Sequence, residues 1–175
     1  MKKTITLTVM LLTSITVTYA QHLKTNAVIK ANHYTYRTDS IDAKNMFAHN
    51  DKNIYRYPDK KPNNNPFVSD NLKKSPKSTI NVFKKVFSDE KLHQLLKEGV
   101  IGIEFIVADD GKILETSFYL NRNTIITATE LEQIEDAYKN DVTFKWIVPH
   151  TNAGGFHVIT QIIHFNKILD GTQPE

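Results

Sequence analysis

The sequence contains no cysteine. This absence excludes disulfides, thiolate metal sites and a lipid anchor, because each of them is built on a cysteine sulfur. The sequence also lacks a phosphate-binding P-loop, a dinucleotide-binding glycine pattern and the G-x-S-x-G elbow of serine hydrolases. The motifs that most directly indicate nucleotide binding or ester hydrolysis are therefore missing.

The first 20 residues have the layout of a signal peptide. Lys2 and Lys3 precede an uncharged stretch at 4–17, and the small residue Ala20 stands before Gln21. The stretch is shorter than the roughly 20 apolar residues that a membrane span needs, and it is rich in threonine. We therefore expect an exported protein, periplasmic or extracellular, with no stable membrane anchor.

Neither sign of charge predominates after the predicted leader. The chain has 22 Lys and Arg against 19 Asp and Glu, and removal of Lys2 and Lys3 leaves 20 against 19. A nearly neutral protein gives no electrostatic reason to bind nucleic acid. The basic residues between Lys52 and Lys91 and the acidic run at 130–141 either pair within the fold or meet anionic envelope molecules, and the first reading is favoured.

The chain divides into two regions after residue 20. Residues 21–75 are rich in Asn, Lys, Asp and Tyr and poor in aliphatic side chains, and they include a proline- and asparagine-rich run at 58–66. Such a segment buries little apolar surface, so we expect it to be extended or partly disordered. Residues 76–170 are expected to form the folded domain, and 171–175 a tail.

Hydrophobic periodicity predicts the elements of the domain. Apolar residues at helical spacing begin at Ile80, and Ser88 is a plausible N-cap for a helix over the residues that follow. An Asp-Gly turn at 109–112 joins two alternating strands. Thr127 and Glu130 fit a capping box that opens a second helix.

The element order defines the expected fold. An extended piece at 144–148 and a last strand over 156–168 follow the second helix. We therefore expect an α+β fold of α-β-β-α-β order: a three-stranded antiparallel sheet with two helices on one face, preceded by the extended N-terminal segment.

Residues 100–165 resemble the C-terminal domain of TonB-type proteins. The resemblance rests on the hairpin at 103–113, the helix opened by Thr127, the Phe144-Lys145-Trp146 stretch with Pro149 nearby, and the closing strand at 162–165. The wider chain also resembles an uncharacterised family of secreted proteins from gut anaerobes, through residues 83–88 before the same hairpin. The resemblance implies an envelope domain that binds an extended peptide at a sheet edge. It does not imply energy transduction, because the chain lacks the uncleaved helix and long spacer of TonB.

The strand alternation places four candidate binding residues away from the helices: Glu104, Ile106, Glu115 and Tyr119. Two alternatives stay open for this face. Either the tyrosines at 34, 36, 55 and 57 cover it, or Ile106 and Tyr119 begin a mixed apolar and polar binding surface.

The other chemistry-bearing residues have ordinary explanations. His150 and His157 form the best metal-binding pair, but no third ligand stands at a suitable spacing, so we expect no metal. Asp109 and Asp110 are expected to form the hairpin turn. Glu130, Glu132, Glu135 and Asp136 are expected to be the solvated face of the second helix.

The sequence therefore favours an interaction or adaptor module that binds another envelope protein or peptide, without enzymatic activity and without a cofactor. Two alternatives remain: a hydrolase of envelope polymers that uses His150 and His157, and a structural protein in which residues 21–75 donate a strand to another copy. The oligomeric state is not predicted.

Overall fold

The computed structural model describes residues 21–55, 72–74, 78–147 and 156–173. The predicted signal peptide, the run at 58–66 and His150 lie outside these residues. Within the described ranges, no helix is long and apolar enough to cross a membrane.

The main sheet has six strands, all antiparallel to their neighbours. They are β1 (Ala27–Lys30), β2 (Thr35–Ser40), β3 (Asn45–Asn50), β5 (Val100–Ala108), β6 (Ile113–Asn121) and β8 (Phe156–His164). Their order is β1-β2-β3-β6-β5-β8. The expected three-stranded sheet is wrong, because strands β1, β2 and β3 from the N-terminal segment extend it beyond β6.

Two further groups of elements complete the described fold. A two-stranded sheet pairs β4 (Leu72–Lys74) with β7 (Phe144–Trp146). The described residues also contain four helices, where two were expected: α1 (Ser78–Val86), α2 (Asp89–Leu95), α3 (Ala128–Asp141) and α4 (Phe165–Asp170). The last strand ends at His164 instead of continuing to 168, because Phe165 and Ile168 bury one side of the short helix α4.

A single hydrophobic core joins the helices to one face of the main sheet. It includes Phe83 of α1, Leu92 of α2, Ile134 of α3 and Phe105 of β5. The three N-terminal strands contribute Ile29, Tyr36 and Met46, all buried. Each of these strands needs only one or two apolar side chains on the core, so a segment poor in aliphatic residues still folds.

The local signals around the helices and the hairpin are confirmed. The side chain of Ser88 accepts a hydrogen bond from the Lys91 N–H, and Thr127 and Glu130 form a reciprocal capping box. In the hairpin turn, Gly111 has a φ of +85° and donates its N–H to the Ala108 carbonyl at 2.8 Å. Only glycine adopts this conformation without steric cost.

Candidate functional site

The face of the main sheet opposite the core, here called the open face, carries a row of apolar residues. Phe47, Tyr119, Gly102 and Ile162 lie directly opposite one another on β3, β6, β5 and β8. The rings of Phe47 and Tyr119 are 4.9 Å apart between centroids. Ile162 is 61% exposed, so the row ends in an accessible hydrophobic side chain.

Gly102 creates a depression in this row because it has no side chain. A Cβ atom at this position would lie 3.0 Å from the Cβ of Tyr119, which shows how closely the tyrosine approaches the glycine backbone. The depression has a volume of about 350 Å³, and Val100, Thr160 and Ile162 contribute to its lining. It is a shallow apolar surface of the size that one or two side chains of a ligand fill.

The four candidate binding residues separate into two pairs. Glu104 and Tyr119 are half-buried, and the Tyr119 hydroxyl donates to the Glu104 carboxylate at 3.2 Å. Ile106 and Glu115 are buried. The depression therefore involves Tyr119, while Ile106 and Glu115 are too enclosed to meet a ligand directly.

Residues 53–55 provide the cover over Glu115. One carboxylate oxygen of Glu115 accepts hydrogen bonds from the N–H groups of Ile54 and Tyr55, the second at 2.9 Å. The Tyr55 ring lies 5.1 Å from that of Phe156.

Of the tyrosines expected to cover this face, Tyr55 lies at one end of it, whereas Tyr34 and Tyr36 bond to α3 on the core side of the sheet. The surface expected to begin at Ile106 and Tyr119 excludes Ile106, which is buried. Tyr57 lies outside the described residues.

Strand β8 forms one edge of the main sheet. The Phe165 N–H donates to the Gly99 carbonyl at 3.1 Å, in register with the ladder between β5 and β8. The backbone groups of odd-numbered residues therefore point to β5, and those of the even-numbered residues Val158 and Thr160 point away from the sheet. Among the described residues, no hydrogen-bond partner meets these outward groups.

Gln173 occupies the other end of this edge. Its side-chain oxygen accepts the His164 N–H at 2.8 Å, and its side-chain nitrogen donates to the Ile162 carbonyl at 3.2 Å. The amide thus makes the two bonds that a neighbouring strand would make. As a result the edge is closed near His164 and open at Val158 and Thr160.

The acidic residues of α3 do not form a solvated face. Glu132 and Glu135 are buried, which corrects the sequence expectation, whereas Glu130 and Asp136 are half-buried. Glu130 pairs with Lys91 of α2 at 3.2 Å. The long-range partners of Glu132, Glu135 and Asp136 instead come from the N-terminal strands and the turns between them. The helix therefore uses its carboxylates to hold the N-terminal segment on the domain.

Glu132 holds the turn between β1 and β2. Its carboxylate accepts hydrogen bonds from the N–H groups of His33 and Tyr34, and it lies 2.7 Å from the Nδ1 of His33. Burial raises the pKa of Glu132, but the bonds from His33 and Tyr34 outweigh burial and hold the pKa below its ordinary value. The carboxylate is thus matched to its donors in the ionised form.

Glu135 is the most enclosed acid of the helix. It accepts a hydrogen bond from the Tyr36 hydroxyl at 2.8 Å, pairs with Lys139 at 2.6 Å, and lies 3.4 Å from the side-chain nitrogen of Asn50. Burial, together with the charge of Glu135, raises the pKa of Tyr36 far above its ordinary value. Tyr34 bonds to Asp136 at 2.9 Å, and its pKa is raised by burial and by that carboxylate.

Asp109 and Asp110 take different roles. Asp110 accepts the Lys112 N–H at 3.0 Å, which is the expected turn contact. The carboxylate of Asp109 instead lies 2.6 Å from the Nε2 of His157, and its carbonyl accepts the indole N–H of Trp146 at 2.9 Å. Asp109 therefore ties the hairpin to β7 and β8.

The metal hypothesis concerned His150 and His157. His150 lies outside the described residues. Among the residues that the structure does describe, no group of three or more His, Asp or Glu side chains could hold a metal ion.

A serine, a histidine and an aspartate also approach one another on the open face. His49 lies opposite Ser117 in the ladder, and its Nε2 is 3.8 Å from the carboxylate of Asp39. This distance exceeds a hydrogen bond, and both His49 and Ser117 are buried. Because Ser117 is buried, it is not the accessible nucleophile that covalent catalysis requires.

Sequence reasoning missed Phe47, the Gly102 depression and the role of Gln173. A glycine inside a strand often marks a close approach of a side chain or ligand, so Gly102 carried a usable signal. Phe47 stood in a segment without clear periodicity. The contact of Gln173 depends on the path of the chain after β8 and had no local signal.

The fold and the open face together define an α+β protein with a six-stranded antiparallel sheet whose β8 edge is partly open. A solved DUF5043 family protein from Bacteroides uniformis is similar to it, with a TM-score of 0.63 and 14% sequence identity over 81% of this chain and 86% of that chain. At this identity the likeness shows the fold. It supports the expected similarity to an uncharacterised family from a gut bacterium, whereas the TonB-like fold is not confirmed. No family model matches the chain, and no curated protein matches it.

Proposed function

We propose that this protein is an exported interaction module of the bacterial envelope that binds an extended peptide segment of a partner protein along strand β8. The observation that carries the proposal is the outward backbone of Val158 and Thr160 beside the exposed side chain of Ile162. An extended peptide completes such an edge with main-chain hydrogen bonds, and its alternate side chains then meet the open face.

The exposed apolar side chains near β8 favour a bound ligand, because a docked peptide would shield them from water. Three apolar side chains on β5 and β8 are at least 37% exposed on the open face: Val100, Val158 and Ile162. A peptide that pairs with β8 would place one side chain next to Ile162 and the depression at Gly102. Natural proteins commonly protect long apolar edges with charge, and no charged side chain lies between Val158 and Ile162.

The proposal is tested with a proline on the outward side of the strand. Thr160→Pro removes an N–H that points away from β5, so the ladder to β5 keeps its bonds while a docked strand loses one. Thr160→Val keeps the N–H and serves as the matched control. The probe is a fluorescent peptide of about seven residues that alternates Val and Ser, which is the length of the open edge with a margin.

Binding is followed by fluorescence anisotropy, and the fold of each variant by circular dichroism and thermal unfolding. We expect Thr160→Pro to weaken binding by about fivefold or more, the equivalent of one backbone hydrogen bond, and Thr160→Val to leave it unchanged. Equal binding by both variants, or no binding by the parent protein, would refute the proposal. Sedimentation velocity of the parent without peptide shows whether a second copy occupies the edge instead.

Export is tested separately. Fractionation of cells that make the full-length chain, with N-terminal sequencing of the product, should find a periplasmic or released protein that begins at Gln21. An intact Met1 in the cytoplasmic fraction would contradict the export part of the proposal.

A further inference from the structure

A basic groove lies next to the depression on the open face. It has a volume of about 620 Å³ and is lined by three chain segments, 23–25, 43–44 and 121–123. Each segment contributes one positive side chain: Lys24, Lys44 and Arg122. None of the described residues that line the groove is acidic. The neighbouring Asp42 accepts hydrogen bonds from the N–H groups of Lys44 and Asn45, and Glu98 lines the adjoining depression. The groove therefore keeps an excess of positive charge.

Arg122 is fixed in this groove by contacts with the chain. Its guanidinium donates to the Thr25 hydroxyl at 3.1 Å and lies 3.4 Å from the Asp42 carbonyl oxygen. Lys24 and Lys44 are exposed and form no ion pair with any described residue. One ordered and two free cations in a concave surface are suited to a carboxylate ligand, and the ordered arginine provides planar paired donors.

The groove and the depression form a continuous surface. Asn121 lines both, and Lys44 of the groove is followed in sequence by Asn45 of the depression. From β8 to β3 the sheet spans three strand spacings, or about 14 Å, which an extended chain covers in about four residues. Gln173 blocks edge pairing beyond Ile162, so a peptide docked on β8 must leave the edge there, and the depression is the adjacent concave surface.

We infer that the docked peptide is acidic: it crosses the open face from Ile162 and places carboxylates in the groove formed by Lys24, Lys44 and Arg122. This inference rests on the proposed function and specifies the class of its partner. A concave groove joined to an apolar depression fits a single chain better than it fits a flat membrane surface. The carboxylates stand about four residues beyond the strand-forming part of the peptide.

The test compares three peptides on the full protein. Each has the alternating Val and Ser strand, a Gly-Ser spacer of about four residues, and a tail of three Glu, three Gln or three Lys. The double variant Lys24→Gln/Lys44→Gln removes two cations from the groove, and Lys84→Gln/Lys97→Gln removes two exposed cations elsewhere. Arg122 is left unchanged because its contacts hold the turns.

We expect the Glu tail to bind about threefold to tenfold more tightly than the Gln tail at low salt, and the Lys tail most weakly. The groove variant should reduce this preference, because two of the three cations are gone, while the control variant keeps it in full. Equal binding of the Glu and Gln tails, or a preference that the groove variant leaves undiminished, would overturn the acidic-peptide inference and leave edge docking intact. Failure of all three peptides would instead overturn edge docking. Vesicles with anionic lipids are included, and binding to them that the groove variant abolishes, without any peptide preference, would assign the groove to a membrane.

Discussion

Tyr36→Phe tests whether the buried carboxylates of α3 hold the N-terminal strands. Tyr36 is fully buried, and its hydroxyl donates to Glu135 at 2.8 Å. The substitution removes one oxygen and leaves the ring in place, so the apolar contacts, including the edge-to-face contact with Phe118 at 6.3 Å, are kept. The measured effect is therefore that of the hydrogen bond.

The magnitude follows from the charge and burial of the acceptor. A hydrogen bond to a charged group contributes about 1.5–3 kcal/mol, and the acceptor here keeps Lys139 as a partner, so we expect a loss of about 2 kcal/mol in the free energy of unfolding. For a chain of this size the loss corresponds to a decrease of about 4–8 °C in Tm. Tyr34→Phe is the matched control, because Tyr34 is only half-buried, and its loss should be about 1 kcal/mol or less.

Urea unfolding followed by circular dichroism measures both variants, and a double-mutant cycle of Tyr36→Phe with Glu135→Gln isolates the pair. The cycle should give a coupling energy of at least about 1 kcal/mol. The reasoning is refuted if Tyr36→Phe costs less than about 0.5 kcal/mol, the usual scatter of surface substitutions, or if the coupling is zero.

Three further predictions concern pH and backbone conformation. The pKa of Glu132 is lowered in the folded state, so its contribution to the free energy of unfolding is present above its ordinary pKa of 4.5 and is lost as the pH falls through the folded pKa. Glu132→Gln should therefore flatten the acid limb of a plot of stability against pH, and an unchanged limb would contradict this. The pKa of Tyr36 is raised in the folded state, so its contribution to the free energy of unfolding is complete below the ordinary pKa of 10.0 and declines above it. In urea unfolding from about pH 10 to 11, the Tyr36→Phe variant should therefore lose less stability than the parent, and equal losses would argue against this. Gly111→Ala should lower the free energy of unfolding by about 3 kcal/mol or more, because the new Cβ would lie 1.9 Å from the Phe144 carbonyl oxygen. Gly171→Ala has a similar positive φ but open space around the Cβ, so it should cost about 1–2 kcal/mol. Equal decreases in Tm for the two variants would be the contrary result.

Part of the fold could be predicted because its causes are local. The cap at Ser88, the capping box at Thr127 and the turn at Gly111 each involve residues within four positions of one another. Alternation also placed Tyr119 on the face away from the helices. These features depend on backbone geometry that a short stretch of sequence determines.

The candidate site was predicted less completely. Tyr119 and Glu104 were named from strand alternation, but Ile106 and Glu115 proved to be enclosed, because residues 53–55 lie against that end of the open face. No pattern in a strand shows which part of its exposed face a distant segment covers. The accessible part of the face therefore followed from the path of the whole chain.

By itself, the sequence of this protein determined the starts of α2 and α3, the central hairpin and the absence of cysteine chemistry, since each depends on neighbouring residues or on composition. The tertiary structure alone decided the size of the sheet and the state of the acids on α3. Glu135 and Tyr36 are 99 residues apart, and a carboxylate on a helix is solvated or buried according to what reaches it. The N-terminal strands and turns supply those donors. An acidic pattern that is typical of a solvent-exposed helix therefore binds the N-terminal strands to α3 in this protein.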